Sequence, residues 1–218
     1  MDAKRSRRID DLHRRAFIID AHFDLPWDVA NQRDRGQTNV IASQYLERFR
    51  EGGFNVIVSA IFLEDFFLPE MGLRKALDQI SHITEEVDAS PQQMLVCRSL
   101  EDIRQVAGDG RIGLLLSLEG ADPLQNDLNL LRIFYELGVR GLGLTWSRRN
   151  YAADGCAFSS QAAARPCGLT DFGRALVKKA EQLGMLVDVS HMNEAGFWDV
   201  METATKPAIA SHSDCRAR

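Results

Sequence analysis

The chain has 218 residues, 45% hydrophobic and 26% charged, with 26 Lys and Arg against 31 Asp and Glu. That length can bury one sizeable core, and a single soluble globular domain is expected. The net charge of −5 removes the electrostatic reason to expect nucleic acid as a partner.

Residues 1–16 read as a helical segment of their own. Lys4, Arg5, Arg7, Arg8, Arg14 and Arg15 are interleaved with Asp2, Asp10 and Asp11, the mixture of a solvated helix rather than of a basic arm. No apolar run follows them before the first strand, so no secretory signal is expected. The longest apolar stretch, Phe54–Leu63, contains Asn55 and Ser59 and is too short to cross a bilayer. Cys97, Cys156, Cys167 and Cys215 form no CxxC pair. Reduced thiols in a cytoplasmic protein are expected, with a Cys156–Cys167 bridge left open.

From residue 17 on, strand and helix signals alternate. Phe17–His22 reads as a strand and Phe54–Phe62 as a fully buried one. Leu73, Ala76, Leu77, Ile80, Ile83 and Val87 then share a helix face, which Ser90-Pro91 ends. Met94–Cys97 is a short extended piece, Leu100–Val106 a short helix and Gly113–Glu119 a strand. The next helix takes Asn126 or Asp127 as its N-cap and stops at Gly138. Val139–Trp146 is a strand, and Ser147–Gly168 a long segment without periodicity, read as a substrate-covering lid or a surface excursion. A helix runs from Thr170 to Gly184, followed by strand Met185–Ser190, helix Glu194–Thr203 and strand Pro207–Ser211.

Such alternation argues for a parallel α/β sheet with right-handed crossovers. A doubly wound dinucleotide-binding sheet would place a glycine-rich turn after the first strand, and Ala21–Asp28 has no glycine. A (β/α)8 TIM-type barrel draws its site from several strand ends, which suits the polar residues here. Six of its eight strands are counted, and a full barrel takes about 250 residues. Residues 17–218 are therefore expected to be the N-terminal portion of an incomplete barrel. Unpaired strand edges would then favour self-association into a homo-oligomer.

The polar residues that close the apolar runs carry the chemistry. His22 and Asp24 follow the first strand, Glu119 the third, and His191 and His212 the last two. Spacing of i and i+2 lets His22 and Asp24 address one point. Taken singly, each is as well explained by a hydrogen-bonded or solvated strand end. Taken together at four strand ends, they form an imidazole and carboxylate set suited to zinc or another borderline divalent ion. His13 and His82 fall on helices with solvated neighbours.

Six segments, in order, resemble the membrane (renal) dipeptidase family, dizinc peptidases on a (β/α)8 barrel. They are His22-Phe23-Asp24-Leu25-Pro26-Trp27, Ser117-Leu118-Glu119-Gly120, Gly138-Val139-Arg140 leading to Leu144-Thr145, Gly168-Leu169-Thr170-Asp171-Phe172-Gly173, Val187-Asp188-Val189-Ser190-His191 and Ala210-Ser211-His212-Ser213. The resemblance implies two Zn2+ ions, one on His22 and Asp24, the other on His191 and His212, with Glu119 bridging them. It implies a metal-bridging hydroxide attacking the peptide carbonyl, positioned by Glu119, and dipeptide substrates, including those with a C-terminal D-residue. Some bacterial relatives act on other small amides.

Two departures stand out. Where mammalian members have a substrate-binding histidine, this chain has Trp146, which has one N–H and no basic nitrogen. The family's substrate-binding arginine, about ten residues past the last zinc histidine, and the aspartate of its final strand are not in the sequence. Arg216 and Arg218 come too early to replace that arginine. Metal binding with impaired catalysis is thus expected of this chain. Trp146, Asn150 and Tyr151 are candidate substrate contacts, and Asp20 and Asp188 candidate supports of zinc histidines or buried barrel carboxylates. Two readings compete: an amidohydrolase acting on another small amide or ester, against which His22-Phe23-Asp24 replaces the usual HxH, and an inactive barrel fragment serving as a binding module.

Overall fold

Strands and helices alternate in the computed structural model, which describes residues 3–156 and 166–214. Chain order is α1 (Ala3–Arg15), β1 (Ile18–Phe23), α2 (Leu25–Arg33), α3 (Val40–Gln44), α4 (Leu46–Glu51), β2 (Phe54–Ile61), α5 (Gly72–Ala89), β3 (Met94–Val96) and α6 (Leu100–Asp109). It continues through β4 (Ile112–Glu119), α7 (Leu128–Glu136), β5 (Val139–Gly143), α8 (Asp171–Leu183), β6 (Leu186–Asp188) and α9 (Glu194–Thr203).

Every strand pair is parallel, and the sheet runs β1-β2-β4-β5-β6, with short β3 beside the start of β4. Strand order follows chain order without reversal, so there is no switch point of the doubly wound kind. This is barrel winding, as the sequence predicts. All eight residues of β4 are buried, as befits a strand covered on both faces. Leu114, Leu116 and Leu118 join the main core, while Leu115 packs with Val56, Cys97 and Val106 in a second cluster. Ser117 and Glu119 share the alternation of Leu115, so one face passes from apolar packing to polar chemistry at its C-terminal end. Gly141 lets β5 approach β4 there: a Cβ would lie 2.7 Å from Cβ of Ser117.

The helix ends follow capping chemistry. Asp127, Thr170 and Asn193 accept backbone N–H bonds as N-caps of α7, α8 and α9, and Gly184 ends α8 at φ 77°. Three helices escape the sequence reading, α2, α3 and α4, of 9, 5 and 6 residues. They are too short for a stripe to declare itself, and tertiary contacts fasten them. Buried Glu86 of α5 accepts from Arg33 of α2 at 2.9 Å and from the Ile41 N–H of α3 at 2.9 Å.

Three expected strands are shorter by three residues or more, and of Met185–Ser190 only Leu186–Asp188 remains as β6. β5 stops at Gly143 because the Leu144 carbonyl accepts from Ala121 N and from the Asn150 amide. Pro207–Ser211 pairs with β6 only through an Asp188–Ile209 bridge. Pro207 has no N–H to donate, and Ser211 has turned toward Asp188. Cys97 and Cys156 are free thiols, so Cys156 forms no bridge with Cys167. Cys215, Arg216, Arg218 and residues 157–165 of the expected lid lie outside the described residues. No described helix is long and apolar enough to cross a membrane.

Candidate metal centre

All strands being parallel, their C-terminal ends share one rim. β1 delivers His22 there, and Asp24 follows as the N-cap residue of α2. Glu119 is the last residue of β4, while His191 and His212 follow β6 and the Ile209 bridge.

The Glu119 carboxylate lies between the two ends of this set. Its Oε2 is 3.7 Å from Nε2 of His22; its Oε1 is 3.1 Å from Nε2 of His191 and 3.7 Å from Nε2 of His212. Nε2 of His22 is 3.4 Å from Oδ1 of Asp24, and the Nε2 atoms of His191 and His212 are 2.7 Å apart. The five residues singled out in the sequence thus gather at one rim, Asp24 beside His22 and the two later histidines beside Glu119. His22, Glu119 and His212 present ligand atoms all within 4.8 Å of one another.

Neighbouring side chains fix which imidazole nitrogen faces inward. The Ser147 hydroxyl lies 3.2 Å from Nδ1 of His191, and the Ser211 hydroxyl 2.8 Å from Nδ1 of His212, leaving each Nε2 for the centre. Ser211 is held in turn by Asp188, whose Oδ1 accepts from the Ser211 N–H at 3.2 Å and from the Ser190 N–H at 2.9 Å, and whose Oδ2 accepts from the Ser211 hydroxyl. Asp188 therefore reaches His212 through Ser211. Asp20 accepts the backbone N–H of His22 at 3.1 Å and steadies the turn rather than the ring.

Electrostatics separates the rings. Burial opposes protonation of His22, yet the Asp24 and Glu119 carboxylates outweigh it and raise its pKa; the hydrogen bond from His22 lowers that of Asp24. Burial and the neighbouring His22 and His191 lower the pKa of His212, keeping its nitrogen lone pair available. Because the carboxylates favour protonation of His22, a cation entering the centre would compete with a proton there.

The donor set fits a divalent transition ion, being imidazole and carboxylate at short range. Thr145 supports the same conclusion. Its hydroxyl is buried without a partner among the described residues, and it lines the cavity of about 10 Å³ bounded by His22, Glu119, Asp188, His191 and His212.

Trp146 walls the centre. Its ring lies 5.9 Å from that of His191 and 5.2 Å from that of Phe62. Arg148 sits 5.2 Å from the same ring and binds Asp65 at 2.8 Å, the Leu63 carbonyl at 3.0 Å and Asp122 at 3.2 Å. It thereby joins the loops after β2, β4 and β5. The Asn150 amide is engaged within the loops, donating to the Leu144 carbonyl and Asp122 and accepting from Ala152 N and Ala153 N. Of the loop candidates, Tyr151 is the exposed one, bordering a 360 Å³ cavity with Leu68, Pro69, Gln125 and Arg148. Ser147, Ser211 and Arg148 are the supporting residues that the sequence reading missed. Only their adjacency to Trp146 or His212 could have signalled them.

The family model described as membrane dipeptidase (Peptidase family M19) matches residues 6–218. The uncharacterized protein in the PQQ-III 3' region of Acinetobacter calcoaceticus is 31% identical over 79% of this chain and 60% of its own length. Mouse dipeptidase 3 is 31% identical over 92% of this chain and 41% of its own. The chain thus spans 60% or less of these curated relatives. A metallopeptidase from Rhodobacter sphaeroides, solved with a phosphinate mimic of the dipeptide L-Ala-D-Ala, is similar in structure at a TM-score of 0.80 and 27% identity, covering 90% of this chain and 65% of that one.

Proposed function

The chain belongs to the membrane dipeptidase family, and on that premise we propose that its rim cluster serves metal-dependent hydrolysis of dipeptides, those with a C-terminal D-residue included. In this reading the cluster holds two zinc ions, His22 and Asp24 serving one and His191 and His212 the other. The observation that carries it is the divided Glu119 carboxylate, with one oxygen toward His22 and the other toward His191 and His212. The R. sphaeroides metallopeptidase, liganded with its L-Ala-D-Ala mimic, supports the substrate class.

Bound cations would polarise the peptide carbonyl and acidify the attacking water. The rest is work for the chain's own residues. Ser147 and, through Ser211, Asp188 hold two imidazoles in the tautomer that turns Nε2 inward. Asp24 and Glu119 favour the charged form of His22, so a cation would bind there in competition with a proton. Trp146 and Phe62 form an apolar wall that limits bulk water at the scissile bond.

Elemental analysis after zinc loading and dialysis is expected to find two metal ions per chain, with at least one lost in Glu119→Ala. Hydrolysis of L-Ala-D-Ala should depend on that metal. A chain that retains no metal, or a Glu119→Ala variant that keeps both ions, would overturn the proposal.

A further inference from the structure

Away from the metal centre, α2, α5 and the loop after β2 enclose a cavity of about 40 Å³. Three of the residues that line it each carry a buried polar atom with no partner among the described residues: Nε1 of Trp27, Oε1 of Gln79 and Nδ1 of His82. Gln79 is only 5% exposed, and the solvated surroundings expected for His82 from sequence do not hold for this nitrogen. Leaving such atoms unpaired costs roughly 1–3 kcal/mol each, so three on residues lining one space call for a shared occupant.

The polarity of the walls identifies it. The indole N–H can only donate. Nε2 of Gln79 donates to the Phe62 carbonyl at 2.7 Å, which fixes the amide so that Oε1 can only accept. An occupant satisfying both must accept and donate. A metal cation cannot accept the indole proton, and an anion without a proton cannot donate to Gln79 and would meet Asp34, Glu64 and Asp78 against Lys75 on the same walls. A neutral hydroxylic species fits. At about 10–15 Å³ per water, there is room for a cluster of a few.

We propose that this cavity is a built hydration site, a buried water cluster that bolts α2 to α5 through Trp27, Gln79 and His82. The site does not depend on metal or activity. Its place still matters to the rim: Trp27 lies three residues after Asp24, and Gln79 holds the Phe62 carbonyl beside the Phe62–Trp146 ring contact.

Water–protein cross-relaxation in the NMR spectrum tests the site directly. The chain has three tryptophans, and the Trp27 indole resonance is assigned by its loss in Trp27→Phe. Wild type is expected to show the cross-peak of long-lived water at that N–H, and Gln79→Leu to lose it while keeping a native spectrum elsewhere. A high-resolution crystal structure of the unaltered protein, which requires no variant to fold, should show solvent within hydrogen-bond distance of both Trp27 Nε1 and Gln79 Oε1. A dry cavity, a neighbouring side chain turned in to pair these atoms, or an ion in their place would overturn the proposal.

Discussion

His191 holds φ at 64°, in the left-handed region that a non-glycine residue occupies at a cost of about 1–3 kcal/mol. The turn is held by the Cys156 N–H donating to the His191 carbonyl at 2.6 Å and by Ser147 on the ring. Such a conformation turns the chain sharply after β6 and brings the imidazole back over Glu119. His212 lacks this constraint and relies on the Asp188–Ser211 chain. Ser211→Ala is accordingly expected to weaken metal affinity about 10–100-fold, measured by competition with a chromophoric chelator, while the helical circular dichroism stays unchanged. Equal affinity in the two proteins would reduce Ser211 to packing. His22, Glu119, His191 and His212 were legible because each breaks off an apolar run at a strand end. Ser147 and Ser211 were not, since a serine's role depends on which ring nitrogen faces it in space.

Helix α8 is tied to the segment that carries His212. Buried Glu181 accepts from Thr205 N at 2.8 Å, Lys206 N at 2.7 Å and the Thr205 hydroxyl at 2.8 Å. Burial alone would raise its pKa, but the Lys206 and Thr205 donors outweigh it and hold it below the ordinary range. The folded value lies below the unfolded one, so this stabilisation is complete above the unfolded value of about 4.3 and is lost as pH falls through the folded value. Glu181→Gln should be less stable at neutral pH by about 1–2 kcal/mol. The loss relative to wild type should shrink in acid, as read by urea unfolding from pH 7 to 3. A constant difference across that range would assign the effect to packing. The caps at Thr170 and Gly184 were readable because capping is local chemistry. The tie from Glu181 to residues 205 and 206 crosses two elements and leaves no local mark.

The proposed ligands run from residue 22 to residue 212, so a bound ion would join nearly the whole span of the domain. Ligand that binds only the folded chain stabilises it by about 2.7 kcal/mol at one hundred times its dissociation constant. Zinc should therefore raise the thermal midpoint by several degrees, on the order of 2–4 °C per kcal/mol, and a chelator should reverse the gain. His212→Ala should abolish most of the response in calorimetry. A midpoint indifferent to zinc would mean that the cluster does not act as one centre. The same long span explains why strand order was readable. Sequential parallel pairing needs only alternation of elements and right-handed crossovers.

Alternation, the apolar strands, the caps and the residue types of the rim cluster were all written in the chain, because periodicity and capping act over a few residues. Tertiary structure alone decided that the Glu119 carboxylate divides between two histidine groups, that serines choose the inward nitrogen, and that Trp27, Gln79 and His82 face one cavity. It also decided that Asn150 serves its own loop and that the last strand shrinks to a single bridge. Most of those outcomes join segments far apart in the chain, as Ser147 with His191 does, and no local pattern encodes such distances until the core has packed.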